Sequence, residues 1–70
     1  MKKDEKHIIT RTVWSQRVRQ GISAKELAAR CGWSQRTYAR RMANPEEMAL
    51  RETWNLEKNL GLPKGFLSAL

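Results

Sequence analysis

The sequence predicts an all-α fold, a compact bundle of four to five helices built around a helix-turn-helix. Three observations carry this expectation. Two helix-start signatures, at Ser23 and Ser34, follow one another across one glycine, Gly32; apolar residues recur at helical spacing on both sides of that pair; and no stretch alternates apolar and polar residues as a half-buried strand would.

A first helix is expected over roughly residues 6–20, with Ile9, Val13, Trp14 and Val18 as an imperfect apolar stripe and Gly21 as its stop; residues 1–7 are expected to form a basic, flexible tail. Ser23-Ala24-Lys25-Glu26 is a capping box, in which the serine hydroxyl accepts from the amide three residues on and the glutamate reaches back. Ile22 and Leu27 are placed to form a hydrophobic staple around it. A two-turn helix should therefore begin at Ala24, bury Leu27, Ala28 and Cys31, and stop at Gly32 in the left-handed conformation. Ser34 repeats the cap, and Trp33 with Tyr38 repeats the staple, so a second short helix runs from Gln35 to Met42 or Ala43. With only Gly32 and Trp33 between the caps, the two helices are expected to cross steeply, in the helix-turn-helix manner. Asn44-Pro45-Glu46-Glu47 predicts a loop with one helical turn. Leu50, Trp54 (or Thr53), Leu56 and Leu60 supply the apolar side of a fourth helix ending at Gly61, and Leu62-Pro63 opens a last apolar segment with Phe66, Leu67 and Leu70.

Composition narrows the classes. Seventy residues make one small domain, since a chain this short cannot be divided into two independent cores. At 40% hydrophobic and 30% charged the chain is too apolar for a disordered tail, and it has no apolar run near the ~18 residues of a membrane span. No signal sequence is expected, the single Cys31 cannot form an internal disulfide, and a reducing cytoplasmic setting follows. The net charge of +7 is uneven: six basic and two acidic residues in 1–20, five and one in 21–43, three and four in 44–70. No acid lies between Glu26 and Glu46, where Arg30, Arg36, Arg40 and Arg41 all fall, a local field suited to phosphate or an anionic membrane. Short capped helices argue for a folded core over an interfacial helix.

The second motif helix concentrates the chemistry. Tyr38 and Met42, one turn apart, should face the core; Arg36 and Arg40, also one turn apart, then point to solvent, and Gln35 projects from the first turn. A guanidinium fork matches guanine O6 and N7, and a glutamine amide matches adenine N6 and N7, so Gln35, Arg36 and Arg40 are the candidate base readers. Lys25, the amides at the capped start of its helix, Arg41 and Asn44 are candidates for backbone phosphates, which give affinity and register rather than sequence choice.

From Arg17 to Leu62 the chain resembles the lambda-repressor-like helix-turn-helix domains of phage repressors, Cro proteins and XRE-type regulators. The match lies in Arg17, Gly21-Ile22-Ser23, Glu26-Leu27-Ala28, Gly32, Ser34 through Met42, and Leu60-Gly61-Leu62; the stretch Thr37 to Glu46 is similar to short phage Cro-like regulators. The resemblance implies a helical bundle that binds a pseudo-palindromic double-stranded DNA operator as a homodimer, with the second motif helix in the major groove and no cofactor, metal or small-molecule substrate. It places Gln35, Arg36 and Arg40 on the recognition helix, Ser34 at its cap and Arg41 on its flank, and adds Ser23, Ser34 and Thr37 to the phosphate-contacting or positioning candidates. Two departures stand out. Ala24 occupies the position where many members carry a phosphate-contacting glutamine, leaving Ser23 or Lys25 to substitute; Met42 replaces the acid that pairs with the arginine of the first helix, here Arg17. Thr53 and Glu57 also stand at positions that are usually apolar.

Blander readings compete for several residues. Trp33, Trp14 and Trp54 are expected in the core, Cys31 as a buried thiol, His7 as a solvated residue, and Lys2, Lys3 and Lys6 as a tail able to reach phosphate. The rival function is a protein-interaction module, an adaptor or antitoxin-like partner, whose apolar end Phe66, Leu67 and Leu70 binds another chain; the same end could be a homodimer face. One His and one Cys, with no clustered carboxylates in the motif, compose neither a metal site nor a nucleophile with its base, so no enzymatic activity is expected.

Overall fold

In the computed structural model, residues 2–70 are described, with side chains from Ile8 onward. The fold is all-helical among these residues: α1 (Lys2–Gln20), α2 (Ala24–Cys31), α3 (Gln35–Ala43), a 3-10 turn (Pro45–Glu47) and α4 (Leu50–Leu60). Residues 64–69 form turns rather than a fifth helix. α1 begins at Lys2, ahead of the expected start near residue 6. The side chains of Lys2, Lys3, Lys6 and His7, and all of Met1, lie outside the described residues.

Local sequence chemistry sets the boundaries of the middle helices. The Ser23 hydroxyl accepts from the Glu26 amide at 3.0 Å, and the Ser34 hydroxyl accepts from the Thr37 amide at 3.1 Å. The first cap is half of the expected box, because the Glu26 carboxylate turns forward to Arg30 Nη2 at 2.7 Å instead of back to Ser23. α4 uses the other half: Glu52 Oε1 accepts from the Ala49 amide at 2.8 Å, and alanine offers no hydroxyl in return. At the far end of α2, Gly32 sits at φ 78°, the Gly32 amide donates to Ala29 O and the Trp33 amide to Ala28 O at 2.9 Å. This is the six-to-one, five-to-two closure that favours glycine, and it turns Trp33 back onto the body it has just left.

Val13, Ile22, Leu27, Ala28, Cys31, Tyr38, Leu56, Leu60 and Leu67 form the core, with Ile9, Ala24, Trp33, Met42, Met48 and Leu62 packed around it. The four residues expected to form staples, Ile22 with Leu27 and Trp33 with Tyr38, all belong to or pack against this cluster. α2 packs on α3 and on α4, while α1 lies against α4 and the 3-10 turn. Cross-links are polar and specific: Thr10 Oγ1 donates to Met42 O at 2.6 Å, Gln20 Nε2 to Leu60 O at 2.8 Å, and Asn55 Nδ2 to Cys31 O at 2.9 Å, which satisfies a carbonyl at the end of α2. The radius of gyration is 11.0 Å, against about 11 Å for a compact chain of this length.

Five expectations need correcting, and the first is Trp54, which is half-buried outside the core cluster because Thr53 takes the inward position beside it. Trp14 and Val18 are 56% and 57% exposed rather than core: α1 buries the Ile9, Val13, Arg17 row, and these two residues stand one position round the helix from it. Leu50 is also exposed, because Thr53 and Leu56 take the inward positions of α4. Leu67, expected on a partner surface, is fully buried. The polar residues at usually apolar positions are accommodated: Thr53 Oγ1 donates to Leu50 O at 2.6 Å, and buried Glu57 accepts the Gly65 amide at 2.8 Å and the Leu67 amide at 2.7 Å, pinning the last turns to α4 and drawing Leu67 inward.

Trp33 is half-buried against the core at the α2–α3 junction, with the Arg41 guanidinium 6.0 Å from its ring centre. Trp33→Ala is expected to destabilise the domain by about 2–3 kcal/mol and lower the thermal midpoint by roughly 10–20 °C. A melting curve indistinguishable from that of the unchanged protein would remove Trp33 from the core.

Candidate nucleic-acid interface

α3 carries two faces. Tyr38 is buried and Met42 is packed against the core, as their one-turn spacing predicts. Gln35, Arg36 and Arg40 are exposed, and among the described residues none of the three side chains has a hydrogen bond or an ion pair.

The other two arginines of the acid-free stretch are spoken for. Arg30 pairs with Glu26 one turn earlier on α2. Arg41 Nη2 donates to Glu52 Oε2 at 2.7 Å, and its Nε is buried without a partner, so this residue ties α3 to the start of α4 instead of presenting a free cation. The field expected from four arginines is thus narrowed to Arg36 and Arg40.

The phosphate candidates separate in the same way. Lys25 is exposed in the first turn of α2, next to the cap at Ser23, which is exposed and already accepts the Glu26 amide. Ser34 and Thr37 satisfy each other, with the serine hydroxyl donating to Thr37 Oγ1 at 3.0 Å while it accepts the Thr37 amide. Asn44 is half-buried at the C-terminal end of α3, where its amide donates to Arg40 O at 3.1 Å. Phe66 and Leu70, at the other candidate surface, are 40% and 53% exposed.

Arg17 finds neutral partners. Its Nη1 donates to Ile22 O at 3.1 Å, it lies beside the Tyr38 hydroxyl, and its Nε is buried without a hydrogen bond. Burial pushes the Tyr38 phenol above its ordinary range, and the neighbouring guanidinium opposes that rise.

Cys31 behaves as a structural thiol. Burial pushes its pKa up to about 11, against a smaller opposing effect of the Asn59 amide, so it stays protonated at neutral pH. No group of three or more His, Cys, Asp or Glu side chains converges on a metal-sized space among the described residues, and no helix among them is long and apolar enough to cross a membrane.

Glu52 is the titratable element of the interface support. The Ala49 amide holds its carboxyl below the ordinary glutamate range; burial opposes this, and Arg41 adds to the lowering. A depressed folded-state pKa gives stability that is present above the unfolded value, about 4.3, and is lost as pH falls through the folded value. The thermal midpoint should therefore drop as pH falls from about 5 toward 3, and more steeply than in Glu52→Gln, which has no such proton to gain. Parallel midpoint-versus-pH curves for the two proteins would count against this link.

Comparison with known protein families, curated proteins and solved structures finds no match for this chain.

Proposed function

We propose that the chain is a sequence-specific double-stranded-DNA-binding regulator of the repressor or Cro kind, with α2 and α3 acting as a helix-turn-helix and α3 lying in the major groove. One observation carries the reading: Gln35, Arg36 and Arg40 form an exposed row without internal partners on a helix whose opposite face is anchored by Tyr38 and Met42. Cations left unpaired on a rigid, capped helix are what direct reading of base edges requires, because desolvating an arginine that has already spent its donors would gain nothing. Lys25 and the capped start of α2 supply a phosphate contact beside it, and Arg41, held by Glu52, serves the position of α3 rather than phosphate.

The operator is double-stranded DNA read by a homodimer, so it should be pseudo-palindromic. A body whose longest extent is 31 Å suits half-sites one turn of B-DNA apart, about 34 Å. Phe66 and Leu70 are the exposed apolar residues at the C-terminal end available for the dimer contact, beside Trp14, Val18 and Leu50 exposed elsewhere.

Selection of bound duplexes from a random pool at moderate salt, with sedimentation of the free protein, tests this reading. Enrichment of a pseudo-palindrome with half-sites 10 to 10.5 base pairs apart is the expected result. A pool that stays random would overturn it and leave the fold as a protein-interaction module.

A further inference from the structure

A groove of about 430 Å³ lies at the C-terminal half of α4, lined by Trp54, Glu57, Lys58, Leu62 and Lys64, and no role in DNA reading reaches it. Its lining is mainly apolar, from Trp54 and Leu62, and both of its cationic residues are exposed. Lys64 Nζ stands 3.9 Å from the centre of the Trp54 ring. Glu57 offers a ligand no free acceptor, since each carboxylate oxygen already accepts a backbone amide, from Gly65 and from Leu67, and against its one buried charge Lys58 and Lys64 leave the lining net positive. Those two bonds hold the turn bearing Lys64 against α4, so the groove is shaped before anything enters it.

We propose that this groove docks an acidic segment of a partner protein, taking a leucine or aromatic side chain against Trp54 and Leu62 while flanking carboxylates meet Lys58 and Lys64. Charge complementarity selects the occupant: an apolar floor beside two exposed lysines, which outnumber the one buried carboxylate of the lining, favours an apolar side chain carried among acids. The groove is open to solvent, so it cannot enclose most of a small acid's surface as a ligand cavity does, whereas a peptide also gains contact beyond the rim. Phe66, in the same turn segment, is exposed and extends the apolar surface available to such a chain. The inference goes beyond the DNA reading and stands apart from α3.

The test uses the full chain labelled with ¹⁵N and two synthetic peptides, acetyl-EDLFDE-amide and its neutral counterpart acetyl-QNLFNQ-amide. The acidic peptide should shift the Trp54 indole resonance and the amides of residues 57–66, and weaken as salt is raised. The neutral peptide should bind roughly five- to tenfold more weakly, and Lys58→Gln with Lys64→Gln should weaken the acidic peptide by a similar factor while leaving the melting curve in place. Trp54→Phe keeps an aromatic floor and should retain binding. Equal binding of the two peptides, shifts confined to α3 or scattered over surface lysines, or no shifts at all would overturn the proposal. So would 2-naphthoate binding as tightly as the acidic peptide, which would make this a small-acid site, or duplex DNA shifting the same residues, which would make it part of a nucleic-acid surface.

Discussion

Replacing Glu57 with alanine is expected to remove most of the domain's stability. A chain of this length has about 4–10 kcal/mol to lose, at roughly 0.05–0.15 kcal/mol per residue. The Glu57 carboxylate accepts the Gly65 and Leu67 amides at 2.8 and 2.7 Å, the second of them a fully buried bond. Alanine leaves both donors without a partner, and each orphaned amide costs about 1–3 kcal/mol, with a further loss for the space vacated in the core. A total near 3–5 kcal/mol follows, and it acts on more than α4, because the same two bonds seat Leu67 against Val13, Leu27 and Leu60 in one cluster. Glu57→Gln separates the bonds from the volume: its oxygen still accepts one amide, but its NH₂ meets the other donor to donor, so its loss should fall between those of the alanine variant and the unchanged protein. Urea titrations followed by circular dichroism measure all three. Midpoints that agree within experimental error would mean the last turns contribute nothing to the fold.

Glu57 also marks the boundary of what the sequence discloses. Caps, staples and glycine stops depend on residues within four positions of one another, so Ser23, Ser34, Gly32 and Gly61 announce α2, α3 and the end of α4 directly. The inward turn of Leu67 depends on a carboxylate ten residues earlier, in a segment with no helical period to say which way a side chain points. A glutamate in an apolar slot was the visible sign; its two amide partners were not. α1 shows a different failure. Its apolar residues Ile9, Val13, Trp14 and Val18 straddle two adjacent rows, and which row is buried is decided by Arg17 reaching Ile22 O and Tyr38 across the junction, an interaction without local signature.

The candidate interface divides along the same line. That Arg36 and Arg40 share one exposed face follows from their spacing and from Tyr38 and Met42 on the other. That Arg30 is neutralised was legible too, since Glu26 lies one helical turn before it. The pairing of Arg41 with Glu52 was not, because it joins two helices across the Pro45–Glu47 turn. Nor was the Trp54 groove, which exists only once Glu57 has folded the Lys64 turn back against α4.

Those differences among the arginines produce the second large expected effect. Arg36→Ala and Arg40→Ala should each weaken a selected operator by about 1–3 kcal/mol, roughly 5- to 150-fold, with the loss confined to the base pair that each side chain reads. The double variant should depart from the sum, because the two guanidiniums are like-charged neighbours one turn apart on the same exposed face. Both are exposed, so the thermal midpoint should stay within the ~0.5 kcal/mol typical of surface substitutions. Lys25→Ala provides the contrast in affinity: uniform weakening over all sequences, with the salt slope reduced by about one. Arg41→Ala provides the contrast in stability, since it strands Glu52 and uncovers the face of Trp33, and its binding loss should track its melting loss. Competition titrations of selected against scrambled duplexes, with a melting curve for each variant, separate these cases. If Arg36→Ala and Arg40→Ala preserved the ratio of specific to scrambled binding, or melted in proportion to the affinity they lost, α3 would be part of the scaffold and not the reader.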